Sequence, residues 1–263
     1  MRYIVYLKQV PKSTKVKIDP ITKTLQRSSA LSQTNPDDLY ALEAAIALKK
    51  ETNAEIIAVS MGPSSAEAVL KEALQRGADR AILISDRAFA GSDTWCTSLV
   101  LSAVARKIGD YSILFFGKMA IDGDTAQVGP EVAAQLNIPQ VTLLKSIDQT
   151  YNNEIYVTRN TGYCVLQQKI LLPCAIMVSK GVYELKAPNL KGWRFANTQN
   201  IERWDAAALN INPNEVGLNA SPTQVVSTNI PDTEKQIVWL KSEQELENCL
   251  DLSLNKSQKD GRE

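Results

Sequence analysis

The sequence predicts an α/β fold in which a parallel sheet is covered by helices on both faces. Two observations carry that expectation. Short, near-continuous apolar runs alternate along the first 140 residues with stretches of helical periodicity. The runs are unbroken rather than alternating, as expected for strands buried on both faces. A third observation bounds the pattern: past residue 150 the rhythm changes to the period-two alternation of antiparallel strands.

Taken in order, "RYIVYLKQV" (Arg2 to Val10) reads as the first strand. "NPDDLYALEAAIALKKE" reads as a helix with Asn35 as its cap, Pro36 at the first helical position, and Asp37 and Asp38 in the dipole-favoured first turn. "AEIIAVSMG" (Ala54 to Gly62) is a strand, "PSSAEAVLKEALQRG" a helix closed by Gly77, and "RAILIS" the next strand. "SDTWCTSLVLSAVARKIG" is a helix capped by Ser92 or Asp93, "YSILFFG" a fourth buried strand, and "TAQVGPEVAAQLN" a fourth helix before "PQVTLLKSI". The stretch "NEIYVTRNTGYCVLQQKILLPCAIMVS" predicts a hairpin that extends the sheet antiparallel. After Lys180 periodicity fades into an Asn- and Pro-rich segment with Trp193 and Trp204, and a short helix is expected only near "SEQELENCLDLSL". The organisation expected is a nucleotide-binding domain over residues 1–182 and a partner-binding arm over 183–263, since a long irregular segment with apolar anchors suggests burial against another protein.

Composition narrows the chemistry. Lys+Arg and Asp+Glu both number 29 in 263 residues, so no net field draws the chain to nucleic acid or to an acidic membrane. No apolar run approaches 20 residues and the start does not read as a signal peptide, so a soluble, cytoplasmic protein without membrane insertion is expected. Cys96, Cys164, Cys174 and Cys249 are widely spaced without a CxxC pair, which disfavours metal sites and predicts buried thiols. There is no histidine. The commonest general base and metal ligand are therefore missing, and chemistry falls to a bound cofactor or to carboxylates.

Ligands of open parallel sheets sit beyond the carboxyl ends of the strands. The loops there are "KQVPKS", "SMGPSS", "SDRAFAGSDT" and "GKMAIDGDTAQ". None contains G-x-x-x-x-G-K-S/T or G-x-G-x-x-G, which sets aside a P-loop enzyme and an ordinary dinucleotide dehydrogenase. The fourth loop joins a strand to a helix, where exposed amides suit a phosphate, yet it carries Asp122 and Asp124. An Asp-x-Asp pair without a third acid makes a poor divalent-cation site.

"AIDGDTAQVGPEVAAQLNIPQVT", "NPDDLYALEAAIALK", "AVSMGP", "EALQRGADRAILISD" and "GLNASPTQV" together resemble the small, or β, subunit of electron transfer flavoproteins, in one register from Met1 to about Val226. The resemblance implies an adenine-nucleotide-binding domain of the HUP-like, Rossmann-related kind. It implies nucleotide contacts at Tyr6, at Asn35, Pro36, Asp37 and Asp38, at Met61 and Gly62, and from Gly117 through Val128, including Gly117, Ala120, Ile121, Asp122, Gly123, Asp124, Thr125, Ala126, Gln127 and Val128. Asp124 would then sit near the cap of the following helix, while Asp122 would accept loop amides or meet a sugar hydroxyl. Tyr6 departs from the small residue usual there, and an inward side chain would crowd the pocket. Met61 suits either core or ligand contact.

Ordinary members of that family hold AMP in this subunit, and the electron-bifurcating branch holds a second FAD. "SDRAFAGSDTWCTS" looks like the bifurcating version, with Asp93, Thr94 and Thr97 in the cofactor wall, so FAD is favoured over AMP. The resemblance then implies NADH as electron donor, ferredoxin or flavodoxin as low-potential acceptor, and a large (α) subunit whose FAD serves a partner dehydrogenase. Thr94, Thr97, Ser98 and Arg159 are candidate flavin-tuning groups. Tyr183 to Asn197 resembles the loop that docks on an acyl-CoA dehydrogenase, with Leu190 as apolar anchor and Trp193 as a compensating one. "GWRFANTQN" and "GLNASPT" replace the usual lysine-rich run and "GLKGSPT", which suggests a different dehydrogenase, such as a lactate-type enzyme. The isolated subunit is expected to be an electron carrier without catalysis of its own.

Overall fold

A computed structural model describes residues 1–12, 32–151, 153–224 and 239–250. Residues Met1–Gln224 form one unit and Val225–Glu263 another. In the second unit residues 243–250 are helical, within the expected "SEQELENCLDLSL" segment. The last four residues of that segment and the final Val of "GLNASPTQV" lie outside the described residues.

The first unit is built on a seven-stranded sheet whose described pairings are all parallel. Strand β1 (Arg2–Tyr6) lies at its centre. From it the chain passes through a short antiparallel pair, β2 (Gln9–Pro11) and β3 (Ser32–Thr34), into helix α1 (Pro36–Thr52). Strand β4 (Glu55–Met61), helix α2 (Glu67–Arg76) and strand β5 (Arg80–Ile84) complete one side. Helix α3 (Thr94–Ile108) then carries the chain back to β6 (Ile113–Gly117) on the other side of β1. Helix α4 (Val128–Leu136), strand β7 (Gln140–Val141) and a three-stranded antiparallel sheet of β8 (Leu144–Thr150), β9 (Glu154–Asn160) and β10 (Val165–Leu171) follow. Strand β11 (Cys174–Val178) then pairs with both β6 and β7. Helix α5 (Leu190–Thr198) and β12 (Glu202–Trp204), which pairs parallel with β5, end the series. The strand order β12-β5-β4-β1-β6-β11-β7 places the reversal of winding direction beside β1.

Alternate strand residues fill two separate cores. Tyr3, Val5, Ile56 and Phe115 face α1 and α2, while Ile4, Ile57, Leu114 and Phe116 face α3 and α4. All of these except Phe116 are completely buried. This is why the strands read as continuous apolar runs.

The α/β class matches the expectation, and four details differ. The first strand stops at Tyr6: the Leu7 N–H completes the pairing with Val59, but the Lys8 N–H goes to Asp38 and its carbonyl accepts from Asn35, leaving Gln9–Pro11 to pair with Ser32–Thr34. The antiparallel strands form their own sheet instead of extending the main one; period-two alternation reports one buried face, not which sheet supplies it. The segment after residue 183 is not irregular throughout. Helix α5 has poor intrinsic propensity, with Gly192, Trp193 and Phe195 inside it, but Asn189 caps it by accepting from the Gly192 N–H at 2.8 Å. Finally, Cys96 and Cys174 are buried thiols as expected, whereas Cys164 and Cys249 are exposed.

Helix α5 lies against α2 so closely that a β-carbon on Gly192 would fall on the Gln75 carbonyl. Gly192→Ala is therefore expected to push α5 off α2 and lower the stability of the unit by about 1–3 kcal/mol. Urea unfolding followed by circular dichroism measures this, and an unchanged midpoint would contradict the packing described.

Candidate functional site

A cavity of about 340 Å³ opens at the carboxyl ends of β1, β4 and β6, at the position where the winding direction reverses. Its floor is aromatic. Tyr6 and Phe116 stack with ring centroids 4.5 Å apart and planes 10° apart, and the Tyr6 hydroxyl donates to the Leu101 carbonyl at 3.0 Å. Tyr6 is 5% exposed, and burial raises its hydroxyl pKa further above the ordinary value. The side chain is thus committed to α3 beneath the cavity while still lining it. Met61 lines the cavity and also packs on the core.

The loop from Gly117 to Gln127 forms one wall. Gly117 sits against the start of α1, where a β-carbon would meet the Asp38 carboxylate and the backbone of Asp37 and Asp38. Asn35 ties the loop down: its amide donates to the Met119 carbonyl at 2.8 Å and its oxygen accepts from the Ile121 N–H at 3.1 Å. The same amide donates to Asp38 at 2.9 Å. Asn35 is completely buried and makes no side-chain cap on α1, so its role is a cross-link between two loops. The Ala120 carbonyl accepts from Gly123 and Asp124, closing a turn, after which Asp124 and Ala126 adopt φ of 51° and 54°. Among the described residues, the main-chain N–H groups of Thr125, Ala126, Gln127 and Val128 donate to no protein acceptor. Alternating left-handed residues with free amides at a helix start make an anion-binding concavity. Such free amides suit a phosphate.

The acids of this region have separate explanations. Asp122 pairs with Lys8, Oδ1 to Nζ 2.7 Å, and reaches no loop amide among the described residues. Asp124 is not a helix cap, because α4 begins only at Val128; its place in the loop is the left-handed turn, which aspartate tolerates better than most residues. Asp38 accepts from the Lys8 N–H at 2.7 Å as well as from Asn35. Burial pushes its carboxyl up to about 7 against these two bonds, and neighbouring Asp37 adds to the rise. Asp37 is itself raised by burial.

The opposite wall is Ser92, Asp93, Thr94 and Thr97, at the start of α3. Asp93 caps α3 by accepting from the Cys96 N–H at 3.0 Å. Burial works to raise its pKa, but the bonds from Cys96, Thr223 and Ser221 together leave it below the ordinary value. Thr94 bridges to α4 through Gln127 and Glu131 at 3.1 and 3.2 Å.

Thirteen of the expected site residues line this cavity: Tyr6, Asp38, Met61, Asp93, Thr94, Thr97, Gly117, Ala120, Gly123, Thr125, Ala126, Gln127 and Val128. Asn35, Pro36, Asp37, Gly62, Ile121, Asp122 and Asp124 do not. Ser98 is completely buried against Trp95 and Gln135, and Arg159 bonds to Thr142 and Gln168 beside the three-stranded sheet, so neither of these tuning candidates lines the cavity. Leu7, Lys8, Val59, Leu101, Phe116 and Gly129 line the cavity without having been expected there, and Ser92, expected only as a possible cap, lines it too. Lys8 was within reach, since it follows the central strand directly; Leu101, in mid-helix, carried no local signal.

The Electron transfer flavoprotein domain model matches residues 22–209. The chain belongs to that family. The electron transfer flavoprotein subunit beta of Thermoanaerobacterium thermosaccharolyticum is 42% identical to it over 89% of this chain and 90% of that one. Subunit CarD of the caffeyl-CoA reductase-Etf complex of Acetobacterium woodii is 41% identical over 86% of each chain. Protein FixA of Azotobacter vinelandii is 42% identical over 86% of this chain and 82% of its own. The chain is a β-subunit-type member of the electron transfer flavoprotein family, and its parallel sheet, here of seven strands, agrees with the α/β class expected. No helix among the described residues is long and apolar enough to cross a membrane.

The raised Asp38 has a signed consequence. Below its ordinary value of 3.8 the carboxyl is protonated folded or unfolded; as pH rises toward about 7 the unfolded chain ionises first, so folding loses stability across that window. The stability of the wild type minus that of Asp38→Asn is therefore expected to fall from pH 4 to pH 7 and then level. Chemical denaturation at a series of pH values measures the difference, and a flat difference would show that Asp38 is not held in a desolvated site.

Proposed function

We propose that this chain is the small subunit of a heterodimeric electron transfer flavoprotein, that its cavity holds the adenylate part of FAD, and that it takes electrons from NADH. In this reading electrons divide between ferredoxin or flavodoxin and, through the FAD of a large (α) subunit, a partner dehydrogenase in the cytoplasm. The observation that carries it is the run of unpartnered amides at residues 125–128 over an aromatic floor: donors for a phosphate beside a flat apolar surface for a base.

The residues present divide the work. The free amides and the start of α4 would hold phosphate, and Lys118, which also lines the cavity, would offset its charge. Asn35 and Gly117 fix the loop that carries those amides. When bound, the flavin supplies the redox chemistry, while the protein binds and orients it. Ser92, Thr94 and Thr97 give small polar groups along the α3 wall, which favours FAD. The modest cavity favours the alternative, a non-bifurcating subunit holding AMP and serving an acyl-CoA dehydrogenase, since the adenylate is what both nucleotides share. The name of the caffeyl-CoA reductase-Etf complex adds weight to a CoA-ester partner, and lactate-type dehydrogenases remain in the proposal through the altered docking segment. Leu190 and Trp193, 64% and 53% exposed on α5, are the apolar anchors offered to such a partner.

Co-expression with the large subunit, followed by denaturation and quantification of released nucleotides, tests this. Two FAD per heterodimer supports the bifurcating reading; one FAD with one AMP supports the alternative; no nucleotide in this subunit overturns both. At the loop itself, Asp124→Ala places alanine at a left-handed position that costs about 1 kcal/mol and is expected to reduce nucleotide retention several-fold, while Asp124→Gly retains it. Equal retention in both variants would show that the turn does not set the site.

A further inference from the structure

A stretch remote in sequence is zipped onto the α3 wall. Leu218 donates to the Ala90 carbonyl at 3.1 Å, and Gly217 donates to the Ser92 hydroxyl at 3.1 Å. Gly217 has φ of 79°, and a β-carbon there would fall on the Ala88 carbonyl, so the approach is as close as a backbone allows. Further along, the Asp93 N–H donates to the Ser221 hydroxyl at 2.9 Å. That hydroxyl in turn donates to the Gly217 carbonyl at 2.8 Å, holding the stretch in its own turn. The Asp93 Oδ2 accepts from both the N–H and the hydroxyl of Thr223, at 3.0 and 2.8 Å, while Oδ1 caps α3. One carboxylate therefore joins the start of α3 to the 217–223 stretch by charge-assisted bonds.

Ser92, Asp93, Thr94 and Thr97 line the cavity, and Ser221 and Thr223 do not. We propose that Thr223 and Ser221 are positioning residues for the nucleotide: through Asp93 they hold the α3 wall in the shape that receives it. The proposal rests on the reading of the cavity as a nucleotide site and adds residues to it. The physical reason is pre-organisation. The wall follows a connection, residues 85–93, that contains a left-handed glycine at Gly91, and such a connection left unpinned would have to be ordered when a ligand binds, which weakens binding. Pinning it beforehand removes that cost. The carboxylate that does so makes three described bonds, and only one of them, to Cys96, lies within its own helix.

The test uses the full chain stripped of nucleotide, with AMP and FAD as probes in equilibrium titrations and hydrogen exchange of the wall amides as a second readout. Thr223→Ala keeps the backbone bond and loses the hydroxyl, and Ser221→Ala removes the acceptor of the Asp93 N–H. Each is expected to weaken binding about tenfold, equivalent to about 1.4 kcal/mol, with Thr223→Ser restoring wild-type affinity. Wild-type affinity in both alanine variants would overturn the proposal, and so would a loss that Thr223→Ser fails to restore. If the wild type binds neither probe, the nucleotide reading fails on its own account and exchange decides the clamp. Faster exchange at Asp93 and Cys96 in Thr223→Ala supports a positioned wall, and unchanged exchange refutes it. Should Thr223→Ala not fold, Ser221→Ala carries the same outcomes.

Discussion

One buried amide side chain holds the site together. Asn35 spends its donors on Asp38 and on the Met119 carbonyl and its acceptor on the Ile121 N–H. It thereby couples the start of α1 to the loop after β6. A completely buried polar group must find such partners or cost the chain its desolvation energy, so the loop has little freedom to leave. Everything that faces the cavity from the 117–128 side depends on this constraint, including the amides that remain without acceptors.

That arrangement explains how acids could coexist with the proposed anion site. Coulomb repulsion is weakened in each case by a different device. Asp122 is ion-paired with Lys8, the Asp93 carboxylate is satisfied by three bonds from Cys96 and Thr223, and Asp38 is buried enough to hold its proton toward neutrality. What is left at the mouth of the loop is a set of N–H dipoles at the beginning of α4, where the field favours negative charge. The site's electrostatics follow from which acids are already satisfied rather than from how many there are.

The parallel α/β class was legible because burial on both faces leaves a direct mark on sequence, as in "AEIIAVSMG" and "YSILFFG". Caps with a side-chain bond were legible too: Asp93 was among the residues expected to begin α3, and it does. Asn35 shows the limit. It occupies the position of a cap, yet its side chain serves a loop more than 80 residues away, and nothing in the local pattern distinguishes the two uses. The antiparallel strands β8, β9 and β10 were readable as strands but not as a separate sheet, and α5 was hidden because its stability comes from contact with α2 rather than from propensity.

The sequence by itself determined the layered architecture, the position of the glycine-bearing loop at a strand end, and membership of a family through blocks of residues in fixed register. Those are properties of local periodicity and of short contiguous motifs. Only the tertiary structure decided which residues face the cavity and which hold it from behind. Tyr6 became floor, Asn35 became a cross-link, Arg159 went to another sheet, and residues 217–223 came to lie on the wall of α3. Those outcomes depend on hydrogen bonds between groups far apart in the chain, and their energies exist only once the sheet has brought the loops together.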